Sequence, residues 1–118
     1  MNFGEITEVV PWLEMAYDLG LDLDAPQPTP RAFKSHLTWH DIPKGGRYII
    51  SVRHPRDVLL SYYLFFEGWW FVPGTISVAT LANEHFLAHR GYWHHLASWW
   101  EQRAGPNVLI LCYEEMRQ

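Results

Sequence analysis

The sequence predicts an α/β fold in which helices cover both faces of a parallel sheet. Two short apolar runs, "YIISV" at residues 48–52 and "VLILC" at residues 108–112, are of the type buried in parallel sheets. The chain between them has helical periodicity, as a crossover between parallel strands requires. With 118 residues, 48% of them hydrophobic, the chain has enough apolar material for one packed domain.

The first third of the chain is predicted to be irregular with one strand. Residues 6–23 are apolar with acidic residues between, and Pro11 divides them into a short helix or turns on either side. "DAPQPTP" at residues 24–30 holds three prolines and is predicted to be an extended surface connection. Residues 32–36 are a strand candidate. In that strand Lys34 and His36 would project on the same side, because successive side chains alternate.

A helix is predicted directly after the first buried strand, in "PRDVLLSYYLFFEG". Pro55 suits the first helical position, and Asp57 in the first turn favours the positive end of the helix dipole. Gly68 can end the helix.

Two further helices are predicted at about residues 78–90 and 91–102. Trp93, Leu96, Trp99 and Trp100 recur at helical spacing in the second of them. That spacing favours packing against the sheet over a stacking platform for nucleic acid or sugars.

Composition argues against several classes of function. The formal charge of -4 disfavours a general nucleic-acid surface, and no apolar run reaches the length of a membrane span. The first eight residues lack the basic and then apolar layout of a secretory signal. Cys112 is the single cysteine, which rules out an internal disulfide and indicates a reducing compartment, so we expect a cytoplasmic protein.

The junction "SVRHPRDVLLS" indicates an anion site. Arg53 ends a predicted strand, where ligands of open α/β sheets bind, and its guanidinium can hold a phosphate with two hydrogen bonds. The helix beginning near Pro55 is expected to direct free backbone N–H groups at the same place. Ser61 can add a hydroxyl if the helix presents that face. The alternative, which stays open, is that Arg53 pairs with a helix carboxylate and Ser61 is an ordinary helix residue.

Two other side-chain pairs have the spacing or chemistry of a possible site. His85 and His89 are four residues apart and share a predicted helix face, but no cysteine lies near them, so we predict no metal site. Glu114 and Glu115 are not expected to act as a carboxylate pair, because neighbours on an extended strand face opposite ways.

Four segments resemble the cytosolic-type sulfotransferases, which use 3′-phosphoadenosine 5′-phosphosulfate (PAPS) as sulfuryl donor. The segments are "PRAFKSHL", "YIISVRHPRDVLLSYYLFF", "YWHHLASWWEQR" and "VLILCYEEM", and their order and spacing match the family. "VVPWLEM" is similar to the family segment that precedes them. The resemblance covers nearly the whole chain and implies a partial P-loop NTPase-like domain over residues 1–118, with a parallel sheet flanked by helices.

The resemblance implies roles for the donor-binding and catalytic residues. His36 matches the family's catalytic base. Arg53 and Ser61 match the residues that bind the 3′-phosphate of the donor, and Tyr113 matches the tyrosine that lies against its adenine. Lys34 lies on the same predicted face as His36, and we expect it to stabilise charge on the sulfuryl oxygens.

The acceptor is expected to be a small, apolar or aromatic alcohol or amine. By the same resemblance Trp12 and Phe65 line the acceptor pocket, and the aromatic "EGWWFVPG" loop agrees with that class. The implied reaction needs no metal.

Three family motifs do not occur in the sequence: the phosphate-binding P-K-S/T-G-T loop, the R-K-G-x-x-G segment and the C-terminal dimerisation motif. The sequence therefore reads as an internal or truncated piece of the domain, and we expect the isolated chain to bind the donor weakly and to turn over poorly or not at all. A binding fragment that keeps the 3′-phosphoadenosine half-site without catalysis is the main alternative. A P-loop small-molecule kinase is less well supported, because no Walker loop or magnesium ligands are found.

Overall fold

The computed structural model describes residues 6–27 and 29–118. The chain divides into two compact units, Met1–Ile42 and Pro43–Gln118.

The first unit is built from turns around Pro11, as the sequence predicts. A 3₁₀ turn at Ile6–Glu8 precedes the proline and a second at Leu13–Met15 follows it. Ala16 and Ile42 are buried in this unit.

The predicted strand at residues 32–36 is wrong. Lys34 forms an isolated parallel bridge with Trp12, in which Lys34 N–H donates to Pro11 C=O at 2.9 Å and Leu13 N–H donates to Lys34 C=O at 3.0 Å. Pairing stops there because Leu13–Met15 turns into the 3₁₀ helix, which removes the partner backbone. Residues 24–27 and 29–30 have no regular helix or strand, in agreement with the predicted connection, and Pro28 lies outside the described residues.

The second unit contains the predicted parallel strands with the expected bounds. Strand β1 is Tyr48–Val52 and strand β2 is Val108–Cys112. They pair in parallel from Tyr48↔Val108 to Val52↔Cys112. The α/β fold with a parallel sheet is thereby confirmed.

Only one face of this sheet is well covered by the described residues. Ile49 is 71% exposed and its partner Leu109 is 51% exposed, so the expectation of two covered faces is wrong. On the other face the ring of Tyr48 lies 5.4 Å from that of Trp99. Alternation along the strand explains the contrast, because Ile49 and Tyr48 point to opposite faces.

Four α-helices and one π-helical turn complete the second unit. They are α1 at Pro55–Trp69, α2 at Val78–Leu81, the π turn at Ala82–Leu87, α3 at Gly91–Trp100 and α4 at Tyr113–Met116. Gly68 lies inside the last turn of α1 and not beyond it. Ser77 caps α2 by accepting a hydrogen bond from Thr80 N–H at 3.0 Å.

One tryptophan ring of helix α3, that of Trp99, is fully buried. Trp99 is 2% exposed and is the principal core side chain of this unit. Trp93 and Trp100 keep 38% and 53% of their surface exposed, so the predicted packing holds for only part of the set. Among the described residues, no helix combines the length and the hydropathy that crossing a membrane requires.

Candidate functional site

Arg53 lies immediately after β1, at the carboxyl end of the sheet. Its guanidinium carbon lies 4.6 Å from the centroid of the Tyr113 ring. Tyr113 is the first residue of α4. The structure therefore brings together two of the residues that the sequence assigns to the donor site. A guanidinium over an aromatic face can still use its N–H groups, which lie in the plane of the guanidinium, to bind an anion edge-on.

The alternative partner for Arg53 is the helix carboxylate of Asp57. Arg53 Nε is 3.9 Å from Asp57 Oδ2, which is too long for a hydrogen bond. The Nε atom is buried and has no hydrogen-bond partner in the part of the chain the structure describes. The ion pair with Asp57 is thus loose, and the guanidinium keeps a donor that a phosphate oxygen could accept from.

The expectation that the start of α1 offers free backbone N–H groups is wrong. Arg56 N–H donates to His54 Nδ1 at 3.3 Å, and Asp57 N–H donates to His54 C=O at 3.0 Å. Pro55 has no N–H to offer. Since these two donors are satisfied internally, an anion at the start of α1 would have to displace their bonds or be held by side chains.

Helix α1 carries Asp57, Ser61, Phe65 and Trp69 at intervals of four residues. Residues four apart lie on one face of a helix, so this row runs from the Arg53 end toward the aromatic end of α1. Ser61 is exposed, and its hydroxyl makes no hydrogen bond to any described residue. The rings of Phe65 and Trp69 stack with centroids 6.1 Å apart and planes at 25°.

The peptide that joins Arg53 to His54 is bonded at both of its polar groups by side chains. Tyr92 of α3 donates its hydroxyl to Arg53 C=O at 2.6 Å. His54 N–H donates to Glu114 Oε1 of α4 at 2.8 Å, and the Cys112 thiol lies 3.1 Å from Glu114 Oε2.

These contacts shift the pKa values of both side chains further from neutral pH. The His54 N–H bond, with the Cys112 thiol second, lowers the pKa of Glu114 from 4.5 to about 2. Burial, and then the negative charge of Glu114, raises the pKa of Tyr92. Glu114 is therefore an ionised acceptor and Tyr92 a protonated donor at neutral pH.

The first unit assembles the other predicted residues around one indole. Lys34 Nζ lies 4.1 Å from the centroid of the Trp12 ring, and the His36 ring meets the same indole edge-on at 5.1 Å and 88°. Lys34 and His36 thus share a neighbour, as the alternation argument expects, although the segment is not a regular strand.

Glu14 fixes the backbone at His36. The His36 N–H donates to Glu14 Oε1. Burial opposes ionisation of Glu14, but hydrogen bonds from the backbone N–H groups of His36 and Glu14 favour it. Together with the side chains of Trp12 and Ser35, these bonds hold the pKa of Glu14 below its usual value. Trp12 and Glu14, both in the segment "VVPWLEM", therefore hold the ring and the backbone of the same histidine.

Sequence reasoning missed three of these residues: Glu14, Tyr92 and Glu114. The sequence predicts no role for Glu114 because it favours an extended strand at Glu114 and Glu115, whereas Tyr113–Met116 forms the helical turn α4. Their positions in the sequence could have indicated the two glutamates, because Glu14 lies two residues after Trp12 and Glu114 directly follows Tyr113. Nothing in the sequence indicates that Tyr92 reaches a residue 39 positions away.

His85 and His89 lie with ring centroids 5.9 Å apart. In residues 6–27 and 29–118 no group of three or more histidine, cysteine, aspartate or glutamate side chains is arranged to hold a metal ion.

Comparison with known families matches residues 2–118 to the sulfotransferase domain. The chain is 32% identical to luciferin sulfotransferase of Photinus pyralis, over 100% of this chain and 34% of the relative. It is 33% identical to sulfotransferase 2A1 of Rattus norvegicus, over 92% of this chain and 40% of the relative. It is 34% identical to sulfotransferase 1B1 of Mus musculus, over 96% and 42%. The chain thus spans well under half the length of these relatives.

A solved structure supports the same relationship. A crystal structure of retinol dehydratase in complex with androsterone and the inactive cofactor PAP superimposes with a TM-score of 0.66 and 28% identity. The match covers 79% of this chain and 29% of that one.

Proposed function

This chain belongs to the sulfotransferase domain family, and we propose that it transfers a sulfuryl group from PAPS to a hydroxyl or amine of a small acceptor. The observation that carries the proposal is Arg53, which directly follows β1, has a buried Nε without a hydrogen-bond partner among the described residues and lies over the Tyr113 ring. The Arg53 guanidinium suits a phosphate and the Tyr113 ring suits an adenine. The donor PAPS carries a phosphate and an adenine in one molecule.

The residues of the second unit would hold the donor. Arg53 and Ser61 would bind its 3′-phosphate through the guanidinium and the free hydroxyl, and Tyr113 would lie against the adenine. Their chemistry fits this ligand, because the backbone N–H groups at the start of α1 are already used and the anion needs side-chain donors.

The residues of the first unit would act on the acceptor. The donor, when bound, would supply the sulfuryl group: the acceptor oxygen or nitrogen would bond to sulfur as the bond from sulfur to the 5′-phosphate oxygen breaks, and adenosine 3′,5′-bisphosphate would leave. His36 takes the proton from the acceptor hydroxyl or amine, which requires a neutral imidazole at working pH. Lys34 supplies positive charge for the sulfuryl oxygens, and its ammonium is held over Trp12.

The acceptor would be apolar or aromatic. Phe65 is 53% exposed and stacks on Trp69, which is 80% exposed, so this end of the α1 row offers flat apolar surface. The family resemblance also assigns Trp12 to the acceptor. The resemblance to cytosolic-type sulfotransferases extends the proposal to a cytoplasmic location.

Calorimetric titration with 3′-phosphoadenosine 5′-phosphate tests the donor site. We expect Arg53→Ala to weaken binding about 10- to 100-fold, the loss typical of hydrogen bonds to charged groups. Arg47→Ala is the matched control, because Arg47 is exposed and precedes the opposite end of β1. Equal affinities for the unsubstituted chain and Arg53→Ala would contradict the proposed donor site.

Assays with labelled PAPS and phenolic or steroid alcohols then test transfer. We expect His36→Ala to abolish transfer while leaving nucleotide affinity unchanged. Nucleotide binding without transfer by the unsubstituted chain would favour the binding-only function.

A further inference from the structure

The peptide unit after Arg53 is the feature that the proposed reaction leaves unexplained. Its carbonyl accepts from the Tyr92 hydroxyl at 2.6 Å and its N–H donates to Glu114 Oε1 at 2.8 Å. The two side chains come from α3 and α4. Tyr92 lies 39 residues after Arg53, and Glu114 lies 60 residues after His54. A peptide bonded on both sides by separate elements cannot rotate without breaking one of these bonds.

Fixing this peptide fixes the base of the Arg53 side chain. Rotation of the peptide would change ψ of Arg53 and φ of His54 together. The Arg53 guanidinium lies 4.6 Å above the ring of Tyr113, whose neighbour Glu114 holds the peptide. One turn of α4 therefore supports both the head of Arg53 and the peptide that follows it.

Glu114 differs from Glu115 because both of its carboxylate oxygens have hydrogen-bond partners. Its two carboxylate oxygens lie within hydrogen-bond distance of the His54 amide and the Cys112 thiol. The adjacent Glu115 has an exposed carboxylate that makes no hydrogen bond to the described residues. The two carboxylates thus offer a comparison of equal charge at almost the same position.

We propose that Glu114 and Tyr92 are positioning residues for the donor site, holding the Arg53–His54 peptide so that the guanidinium is preset over Tyr113 to bind the 3′-phosphate of an adenine nucleotide. The inference rests on the proposed function, because it assigns Arg53 to that phosphate. It predicts that the two residues act on the preference for a 3′-phosphate and not on adenine binding.

The test measures dissociation constants for adenosine 5′-phosphate and 3′,5′-bisphosphate by calorimetry. The dissociation constant for adenosine 5′-phosphate divided by that for adenosine 3′,5′-bisphosphate reports the preference for the 3′-phosphate. We expect Glu114→Ala and Tyr92→Phe each to lower this ratio about 3- to 10-fold, the effect of losing one hydrogen bond. Glu114→Gln, which keeps an acceptor oxygen, should recover part of it.

The controls separate positioning from charge and from folding. Glu115→Ala removes the same charge, and Tyr17→Phe removes a hydroxyl from a side chain that is 94% exposed, so both should leave the ratio unchanged. A general loss of stability cancels in the ratio, because both nucleotides bind the folded chain. Tyr92→Phe preserves charge and nearly preserves shape, which keeps the test informative if Glu114→Ala folds poorly.

Two results would overturn the inference in distinguishable ways. Unchanged ratios in Glu114→Ala and Tyr92→Phe, with normal binding by the unsubstituted chain, would refute the positioning role alone. Failure of the folded, unsubstituted chain to bind either nucleotide would refute the proposed function, and the positioning role with it.

Discussion

At the scale of the residue, single aromatic rings organise the two groups of functional side chains. Trp12 contacts both Lys34 and His36, and Tyr113 lies beneath Arg53. A cation over an aromatic face gains about 0.5–2 kcal/mol, depending on how far it is desolvated. These contacts restrict long side chains before any ligand arrives, which reduces the ordering that binding must accomplish.

We predict that Trp12→Leu releases both Lys34 and His36. The ε-methylene protons of Lys34 lie near the face of the indole, so their resonances should be shifted upfield by the ring current and return to ordinary positions in the variant. Proton–carbon correlation spectra measure this directly. Trp70→Leu is the control, since Trp70 is 77% exposed and contacts Phe66 in the other unit. Unchanged Lys34 resonances in Trp12→Leu would contradict the stacked arrangement.

At the scale of the element, the five side chains of strand β1 alternate between a half-buried face and an exposed face of the sheet. Ile49 is largely exposed whereas Ile50 is half-buried, and each pairs with a residue of β2 that shares its face. The alternation of a strand gives the two isoleucines the same backbone propensity and different packing.

We predict unequal effects when threonine replaces these two isoleucines. Threonine keeps the β-branch, so Ile49→Thr should change the free energy of unfolding by less than about 0.5 kcal/mol. Ile50→Thr should cost about 1–3 kcal/mol, because a hydroxyl is placed in an apolar, partly buried position. Urea denaturation of the two variants measures both values. Equal losses would mean that both sheet faces are packed in solution.

At the scale of the whole molecule, two carboxylates link segments that are far apart in the sequence, and they make the free energy of unfolding depend on pH. Glu14 accepts from the His36 amide 22 residues away, and Glu114 accepts from the His54 amide 60 residues away. Both pKa values lie below the ordinary value, because the backbone N–H bonds favour the ionised form. The first link holds His36 of the proposed site, and the second holds the peptide that follows Arg53; each lies within one unit.

We predict that the Glu114 link is lost in acid over a defined range. A carboxyl with a lowered pKa in the folded state stabilises the fold above its unfolded pKa and loses that effect as pH falls through the folded value. For Glu114 the range runs from 4.5 down to about 2. Urea midpoints should therefore fall less steeply across this range in Glu114→Gln than in the unsubstituted chain. Glu115→Gln should follow the unsubstituted chain, and identical slopes for all three proteins would contradict the prediction.

Much of the fold was predictable because it depends on local patterns. The apolar runs of β1 and β2 have the correct bounds, and Pro55 correctly marks the start of α1. The segment at residues 32–36 was predicted wrongly because a strand needs a partner, and its partner backbone turns away after Trp12. Coverage of the sheet also depends on distant segments, so no local pattern could reveal the exposed face.

The sequence by itself determined the family, the parallel α/β order and the residue types of the proposed site, because motifs and periodicity are properties of neighbouring residues. The tertiary structure decided which partners those residues have. It placed Arg53 over Tyr113, satisfied the N–H groups that had been expected to be free, and brought Tyr92 and Glu114 to one peptide. Hydrogen bonds between residues far apart in the chain depend on how the elements pack, and the sequence near each residue does not specify that packing.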